Sequence, residues 1–227
     1  MSALNVPVRW YHERLNYRTL ALDPARTAFM VVDSDCGLGN ATVEQHIAPA
    51  LAAARRIGMH ILFIHNDFTL VDDPGSIKRE LHEERWGVPD ARRRPAPAVR
   101  NMALKPTYSP SIAPLPHEPD FPKREWSGFH ETFVDYHLRA YGIDTLIAVG
   151  FSQRSCLYFT CAGAVEHNYR VIMLRDCTWS AEYPDTVDPT NPEGGWLRFI
   201  MLRNFEHVIG YTSTSTEWVQ ACEGLIG

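Results

Sequence analysis

Four short runs of apolar, partly β-branched residues punctuate the chain, each bounded by polar residues or glycine. Runs of this length and composition predict buried strands. They lie at residues 27–33, 60–65, 144–150 and 169–176, and a shorter strand is expected near Val208. Helices are predicted at residues 43–57, 75–86, 130–141, 156–168, 196–204 and 216–222. This alternation predicts an α/β fold whose mostly parallel sheet is covered by helices on both faces.

Glycine and hydroxyl residues mark the expected helix ends. Thr42 is in position to cap the first helix, and Gly58 and Gly142 are expected to stop the helices that precede them. Ser152 and Ser155 are candidate caps for the helix at residues 156–168.

Three stretches lack the hydrophobic pattern of a strand or a helix over most of their length. Residues 1–22 are rich in aromatic side chains, and we interpret them as an irregular arm that packs on the domain or on a partner subunit. Residues 23–227 then form a single domain. Apart from the helix at 75–86, residues 66–122 predict a long, proline-rich lid or interface arm. Residues 177–195 predict a second polar loop.

Composition narrows the possible classes of function. A net charge of −5 over 227 residues argues against bulk nucleic-acid binding, so Arg92-Arg93-Arg94 predicts a solvated or subunit-contacting loop. No run is apolar enough to span a bilayer, and the charged N-terminus does not read as a signal peptide. The five cysteines show no paired spacing. We therefore expect a protein of the reducing cytoplasm with no membrane partner.

One stretch joins a predicted strand to a helix through a glycine turn and carries a thiol. Gly150 opens the turn, and Cys156 falls at the start of the helix. Unpaired backbone N–H groups and the positive end of the helix dipole favour a thiolate there and can hold an oxyanion. Cys156 is a candidate nucleophile, although a lone buried cysteine is more often structural. The other cysteines are interpreted as structural: Cys36, Cys161, Cys177 and Cys222.

Two charged residues are expected close to Cys156. Asp33 ends the first strand, and Lys123, one of only three lysines in the chain, precedes a helix. Because parallel α/β sheets bind ligands at the carboxyl ends of their strands, these groups are expected to share one crevice. In the predicted chemistry, Asp33 accepts the thiol proton while Lys123 favours the thiolate and keeps Asp33 ionised.

A longer pattern surrounds these residues. It comprises Lys123, Ser127-Gly128-Phe129, Gly142-Ile143-Asp144-Thr145-Leu146, Gly150-Phe151-Ser152-Gln153-Arg154-Ser155-Cys156, Thr160, Ala164, Tyr169-Arg170-Val171 and Asp176. The pattern resembles that of the isochorismatase-like cysteine hydrolases, which include nicotinamidases, N-carbamoylsarcosine amidases, ureidoacrylate hydrolases and biuret hydrolases. The resemblance covers about residues 26–222.

The resemblance implies a three-layer fold and a catalytic triad of Asp33, Lys123 and Cys156. It also implies a cis peptide bond between Phe151 and Ser152, and an oxyanion hole formed by the backbone N–H groups of Ser152 and Cys156. The implied activity cleaves a C–N bond in a small amide, ureido or carbamoyl substrate through a cysteine thioester, and it requires no cofactor.

The chain departs from the family pattern in three places. Asp33 is followed by Ser34-Asp35 rather than by an apolar residue and Gln, which changes the charge at the pocket entrance. Gln153-Arg154 replace the usual Thr and Asn or Asp of the turn. The Asp-x-His and additional His of the metal-binding nicotinamidases are incomplete, since His65-Asn66-Asp67-Phe68 is followed only by His82. We therefore expect no metal.

Five residues are predicted to contact the substrate: His65, Asn66, Trp126, Phe151 and Asp35. His65 and Asn66 end a strand, where either substrate contact or a hydrogen-bonded supporting role is expected. Trp126 and Phe151 serve equally well as pocket walls or as packed core residues.

Two other functions remain open at this point. A catalytically silent binding or assembly module is motivated by Asp35 and by Gln153-Arg154. Vinyl-ether hydrolysis of the isochorismatase type is disfavoured by the intact triad. In each case the N-terminal arm and the long loop predict a homo-oligomer, either a dimer or a tetramer.

Overall fold

The computed structural model of the protein describes residues 3–35, 40–67 and 106–226. In these ranges the strands form one sheet of eight, in the order β2-β1-β8-β7-β6-β3-β4-β5. The strands are β1 Leu4–His12, β2 Arg14–Leu22, β3 Thr27–Val32, β4 His60–Asn66, β5 Asp120–Lys123, β6 Thr145–Gly150, β7 Arg170–Leu174 and β8 Tyr211–Ser213. The strands from β8 to β5 are parallel, which confirms the predicted α/β class.

The longer α-helices in the described ranges are α1 Ala48–Arg56, α2 Val134–Ala140, α3 Cys156–Glu166, α4 Trp196–Asn204 and α5 Ser215–Ile226. Shorter helical segments are Pro24–Arg26, Asn40–Thr42, Val43–Ile47 and Phe205–Ile209. None of the helices in the described ranges is long and apolar enough to cross a membrane.

Alternation along the strands divides the core into two layers. On β3, Phe29 and Val31 belong to the layer that includes residues of α1 and α5. Ala28 and Met30 belong to the layer that includes residues of α2 and α3. Both faces of β3 are covered, and so the strand is buried from end to end.

The order of the strands reverses next to β3. From β3 the chain continues outward through β4 and β5, and it then returns to β6 and proceeds the other way through β7 and β8. A crevice at such a reversal, outside the carboxyl ends of the strands, is the usual ligand site of an open α/β sheet. Here that crevice lies between the ends of β3 and β6.

Gly150 allows the chain to turn sharply at this crevice. Its φ is +114°, and a Cβ atom at this position would lie 1.9 Å from the carbonyl oxygen of Val32. The next residue, Phe151, donates its backbone N–H to the same oxygen over 2.8 Å. A side chain at position 150 would therefore push the turn away from β3.

The N-terminal region differs from the prediction. Residues 4–22 are not irregular: β1 and β2 form an antiparallel hairpin, and β1 also pairs with β8. Leu4, Val6 and Val8 are buried at alternate positions, which is the period of a strand with one face on the core. The abundance of aromatic residues concealed this period. The division of the chain into an arm and a domain stays a prediction.

Several boundaries also differ. The short strand expected near Val208 lies at Tyr211–Ser213, and Val208 belongs to a π-helical segment. The helix predicted from residue 130 begins only at Val134, since Glu131 has a φ of +51° that helical geometry excludes. The prediction missed β5, because Pro122 within four residues suits only an edge strand.

The helix ends predicted from glycine residues agree with the structure, whereas the caps predicted from Ser and Thr residues do not. Gly58 and Gly142 each have a φ of +68° directly after a helix, as predicted. Thr42 makes no capping hydrogen bond, because the helical turn there already includes it. Ser155 precedes α3 without capping it, and its hydroxyl lies 2.6 Å from that of Ser152. The helix predicted at 75–86 and the arginines at 92–94 lie outside the described residues.

Candidate active site

Four polar side chains meet at the carboxyl edge of the parallel strands. Asp33 directly follows β3, Asn66 ends β4, Lys123 ends β5, and Cys156 begins α3 after the turn from β6. The structure thus brings together the three residues predicted as a triad, at the crevice where the strand order reverses. Asn66 joins them.

Asp33 and Lys123 form a buried ion pair. Lys123 Nζ lies 2.9 Å from Asp33 Oδ2, and the side chains of Lys123 and Asp33 are 0% and 6% exposed, respectively. Asp33 adopts a φ of +45°, and its backbone N–H donates to the carbonyl oxygen of Ile64 over 2.8 Å. An ammonium group buried this deeply requires a counter-charge, and Asp33 provides it.

Asn66 lies between the two charged groups. Its Nδ2 donates to Asp33 Oδ2 over 2.9 Å, and its Oδ1 accepts a short hydrogen bond from Lys123 Nζ. The same Nδ2 lies 3.9 Å from Cys156 Sγ. The side chain of Asn66 therefore touches every member of the predicted triad.

The two oxygens of the Asp33 carboxylate have different surroundings. Oδ2 pairs with the Lys123 ammonium and accepts a hydrogen bond from Asn66. Oδ1 is buried and has no hydrogen-bond partner within the described part of the chain. A buried carboxylate oxygen without a donor is unusual and costly. It is also the atom that a general base needs, because a lone pair is available for an incoming proton.

The surroundings of Cys156 disfavour ionisation of its thiol. Burial raises the pKa of the thiol to about 12, and the charge of Asp33 adds to this shift while Lys123 opposes it. The expectation that Lys123 and the helix end favour a thiolate is therefore outweighed. Asp33 is the carboxylate next to this thiol.

The turn before α3 has one of the two features that the family resemblance implied. The peptide bond between Phe151 and Ser152 is cis. Ser155 N–H donates to the carbonyl oxygen of Ser152 over 3.0 Å and closes the turn. As the first residue of α3, Cys156 has a backbone N–H with no acceptor inside the helix. The assignment of an oxyanion hole to Ser152 and Cys156 stays a prediction.

Arg154 fastens this turn to the loop at residues 177–195. Its backbone N–H donates to Ser180 Oγ over 3.2 Å, and its guanidinium donates to the carbonyl oxygen of Ala181 over 2.9 Å. The guanidinium also lies 4.6 Å from the ring centre of Tyr183. The sequence identified Gln153-Arg154 only as a departure from the family, and its contacts depend on a loop distant in sequence.

His65 belongs to a different cluster from its neighbour Asn66. Successive strand residues point to opposite faces of a sheet, and His65 Nδ1 lies 2.6 Å from Asp120 Oδ1. The hydroxyl of Tyr108 donates to Asp120 Oδ2 over 3.0 Å. Burial lowers the pKa of His65, but Asp120, Asp35 and Asp67 together raise it above its usual value. Sequence reasoning missed Asp120 and Tyr108.

The other three residues predicted to contact the substrate differ in how deeply they are buried. Phe151 is 4% exposed and belongs to the core layer that includes residues of α1 and α5, which supports its core alternative. Trp126 is partly exposed, and its ring centre lies 6.4 Å from that of Phe159 on α3. Asp35 is partly buried, and its charge contributes to the raised pKa of His65.

Two observations concern metals and cysteine pairing. Within residues 3–35, 40–67 and 106–226, no group of three or more His, Cys, Asp or Glu side chains is arranged to hold a metal ion. Phe68 and His82, two of the positions used in the comparison with metal-binding relatives, lie outside those ranges. The described cysteines are all free thiols.

Comparison with known proteins relates this site to other chains. The sequence model of the isochorismatase domain matches residues 35–187. A ureidoacrylate amidohydrolase RutB of Methylorubrum extorquens is 32% identical over 179 residues, which cover 75% of this chain. The match spans 66% of the length of that relative, slightly less than two thirds. RutB of Methylobacterium radiotolerans is 29% identical over 229 residues, covering 92% of this chain and 82% of that relative.

Solved structures share the fold. A cysteine hydrolase from Pseudomonas syringae pv. phaseolicola 1448A superposes with a TM-score of 0.68 at 23% identity, covering 89% of this chain and 95% of that chain. N-carbamoylsarcosine amidase from Thermoplasma acidophilum superposes with a TM-score of 0.59 at 20% identity, covering 84% and 96% of the two chains. At these identities the likeness concerns the three-dimensional arrangement of the chain.

Proposed function

The chain belongs to the isochorismatase family, and from this membership we propose that it is a cysteine-dependent amidohydrolase. Its substrate is a small amide, ureido or carbamoyl compound in which it cleaves a C–N bond. One observation carries the proposal: a buried Asp33–Lys123 pair lies beside Cys156 and leaves one Asp33 oxygen without a partner among the described residues. The relatives named ureidoacrylate amidohydrolase support the substrate class.

The first half of the reaction forms a thioester. Cys156 Sγ attacks the substrate carbonyl carbon as its proton passes to Asp33 Oδ1, and the carbonyl becomes an oxyanion. When the oxyanion collapses, the C–N bond breaks and the departing nitrogen takes the proton from Asp33. Ammonia or an amine leaves, and the acyl group remains on Cys156.

The second half releases the acid. Water attacks the thioester while Asp33 accepts a proton from it, and the C–S bond breaks. The sulfur then recovers that proton from Asp33, so the enzyme returns to its starting state. Lys123 keeps its charge throughout and holds the ionised form of Asp33 in place.

The backbone N–H groups of Ser152 and Cys156 are the proposed donors to the oxyanion. The location of Cys156 at the first position of α3 supports this assignment, since helix N-termini present N–H groups to anions. Trp126 and Asp35 are the proposed substrate contacts. For His65 and Phe151 the supporting role is favoured by the bond to Asp120 and by core burial.

The same proposal includes the enzyme's setting. We propose that it acts without a metal or cofactor in the reducing cytoplasm, and its free cysteines agree with that compartment. We also propose a homo-oligomer. Large apolar side chains exposed on or next to α2, α3 and α4 support association, namely Phe133, Tyr136, Phe159, Trp196 and Ile200. Light scattering on the purified protein tests the number of subunits.

An ammonia-release screen over small amides, ureido acids and carbamoyl compounds tests the activity. We expect turnover of at least one of these compounds. Brief reaction followed by acid quench and peptide mass spectrometry is expected to show the acyl mass on the peptide that contains Cys156. Exhaustive chelation before the assay is expected to leave the rate unchanged.

Cys156→Ala is the matched variant, since it removes one sulfur atom from the first turn of α3. Its turnover and its acyl adduct are both expected to disappear, while its circular dichroism stays that of the wild type. A folded wild type that hydrolyses no compound in the screen would favour the silent binding module instead. An undiminished rate in Cys156→Ala would overturn the mechanism.

A further inference from the structure

We propose that Asn66 is a positioning residue whose amide fixes the Asp33–Lys123 pair and reserves Asp33 Oδ1 for the thiol proton. The inference rests on the proposed function and adds a role to the site. It begins with three contacts: Asn66 Nδ2 to Asp33 Oδ2 at 2.9 Å, Asn66 Oδ1 to Lys123 Nζ, and Asn66 Nδ2 to Cys156 Sγ at 3.9 Å.

The chemistry of these contacts requires an amide. An ammonium group only donates, so Lys123 must face an acceptor, and an ionised carboxylate only accepts, so Asp33 must face a donor. Asn66 provides an oxygen to the first and an NH2 group to the second. An aspartate of the same shape lacks the donor, and an alanine lacks both groups. The orientation of the Asn66 amide is therefore set by its two neighbours.

The consequence concerns the two oxygens of Asp33. Oδ2 accepts from both Asn66 and Lys123, and these two bonds fix the rotation of the carboxylate. Fixed in this way, Oδ1 remains buried without a partner in the described residues. Without Asn66, the carboxylate is free to rotate and share both oxygens with Lys123. Asn66 thus preserves the asymmetry that a general base needs.

Strand pairing explains how Asn66 reaches all three groups. Asn66 and Lys123 are direct partners in the parallel β4–β5 ladder, so their side chains leave the sheet on the same face. The core layer on that face contains Leu62 and Ile64 of β4 and also contains Cys156. Of the two roles predicted for Asn66, these contacts favour the hydrogen-bonded supporting role over contact with the substrate.

Asn66→Asp is the sharpest test, because it keeps the shape and the acceptor for Lys123 and removes only the amide donor. We expect kcat/KM to fall about 10- to 100-fold at pH 8, the size of one lost hydrogen bond to a charged group, with KM little changed. A substrate contact would instead raise KM.

A second readout needs no substrate. Iodoacetamide alkylation of the Cys156 peptide, followed by mass spectrometry, is expected to slow about 10-fold in Asn66→Asp at pH 8, because Asp33 Oδ1 is no longer held in place to accept the thiol proton. Asn16→Asp makes the same chemical change on β2 of the N-terminal hairpin, where the amide donates to the carbonyl oxygen of Arg14, and it is expected to leave both rates unchanged. Thermal melting verifies that each variant is folded.

The two readouts separate the two proposals. If the wild type hydrolyses no amide, the proposed function fails while alkylation still reports on Asn66. If Asn66→Asp alkylates within twofold of the wild type at pH 8, the positioning role is overturned even when amides are hydrolysed. A raised KM with unchanged kcat would also overturn it and return Asn66 to the substrate pocket.

Discussion

Asp33 follows β3 and Asp120 begins β5, the two strands that flank β4. Each provides the carboxylate of a small polar cluster. Asp120 is saturated: His65 Nδ1 lies 2.6 Å from its Oδ1, and the Tyr108 hydroxyl donates to its Oδ2. Asp33 has two partners on Oδ2 and, among the described residues, none on Oδ1. The two clusters are of similar size, but only in the Asp120 cluster does each carboxylate oxygen have a hydrogen-bond partner among the described residues.

We interpret this difference as one between a structural carboxylate, Asp120, and a reactive one, Asp33. A carboxylate with a donor on each oxygen is well stabilised, and neither of its oxygens is left without a hydrogen bond. A carboxylate with one bare, buried oxygen is less stable but can accept a proton. The surroundings of the two carboxylates support this interpretation, since Cys156 lies beside Asp33, whereas the rings of Tyr108 and Phe63 pack together beside Asp120.

Replacing each carboxylate by its amide gives the largest expected contrast. Asp33→Asn removes the proposed base, and kcat/KM is expected to fall about 10⁴-fold, the upper range for general-base catalysis. Asp120→Asn is expected to reduce kcat/KM less than about 10-fold, because its cluster only supports β4 and β5. Steady-state kinetics with the substrate found in the ammonia screen measures both.

Asp120→Asn is itself the control for general damage at this end of the sheet. Equal losses in the two variants would show that Asp33 has no special role, and the contrast between saturated and bare oxygens would lose its meaning.

Removing the cation is expected to have the next largest effect. Lys123→Met leaves Asp33 charged, 6% exposed and without its ion partner, so unfolding free energy is expected to drop by about 4 kcal/mol at pH 8. Urea denaturation measures this loss. The double variant Asp33→Asn/Lys123→Met is expected to recover part of the stability because it buries no unpaired charge. A double variant as unstable as the single one would contradict this account.

The strands and site residues that depend on a local sequence pattern were predicted from the sequence. Apolar runs gave β3, β4, β6 and β7, and a glycine at a strand end gave the turn before Cys156. Strand ends then located Asp33, and the family spacing located Lys123. These features are visible because each depends on a short window of residues.

The parts that were missed depend on pairing between distant segments. That Asn66 faces Lys123 follows only from the β4–β5 register, and β5 itself was hidden by Pro122. The saturation of Asp120 requires Tyr108, which lies in an irregular segment twelve residues earlier. A sequence pattern identifies a carboxylate, but only the fold decides how many donors surround it.

Removing the hydrogen bond to one oxygen of Asp120 makes this carboxylate resemble Asp33, and so it tests the comparison directly. Tyr108→Phe keeps the ring that packs against Phe63 and removes the hydroxyl from Asp120 Oδ2. The free energy of unfolding is expected to fall by about 2 kcal/mol, while kcat/KM stays within about threefold of the wild type. Urea denaturation and kinetics measure the two effects.

Tyr17→Phe, at a side chain that is 69% exposed, removes a hydroxyl without changing this cluster and is expected to be neutral. A large loss of activity in Tyr108→Phe would instead place the Asp120 cluster within the chemistry.

The smallest expected effect is a pH dependence confined to the Asp120 cluster. Burial lowers the pKa of His65, but the hydrogen bond and charge of Asp120, with the charges of Asp35 and Asp67, raise it overall above its unfolded value of about 6.5. A raised folded-state pKa means that protonated His65 adds stability that is fully present below about pH 6.5 and is lost as the pH rises through the folded-state pKa.

His65→Gln is therefore expected to destabilise the protein by about 1 kcal/mol more at pH 6 than at pH 9, measured by urea denaturation at each pH. His117→Gln, at an exposed position, is expected to show no such difference. If the His65→Gln deficit is the same at both pH values, the His65–Asp120 contact is a neutral hydrogen bond. If turnover also falls steeply in His65→Gln, then His65 contacts the substrate, and the two faces of β4 do not divide chemistry from support.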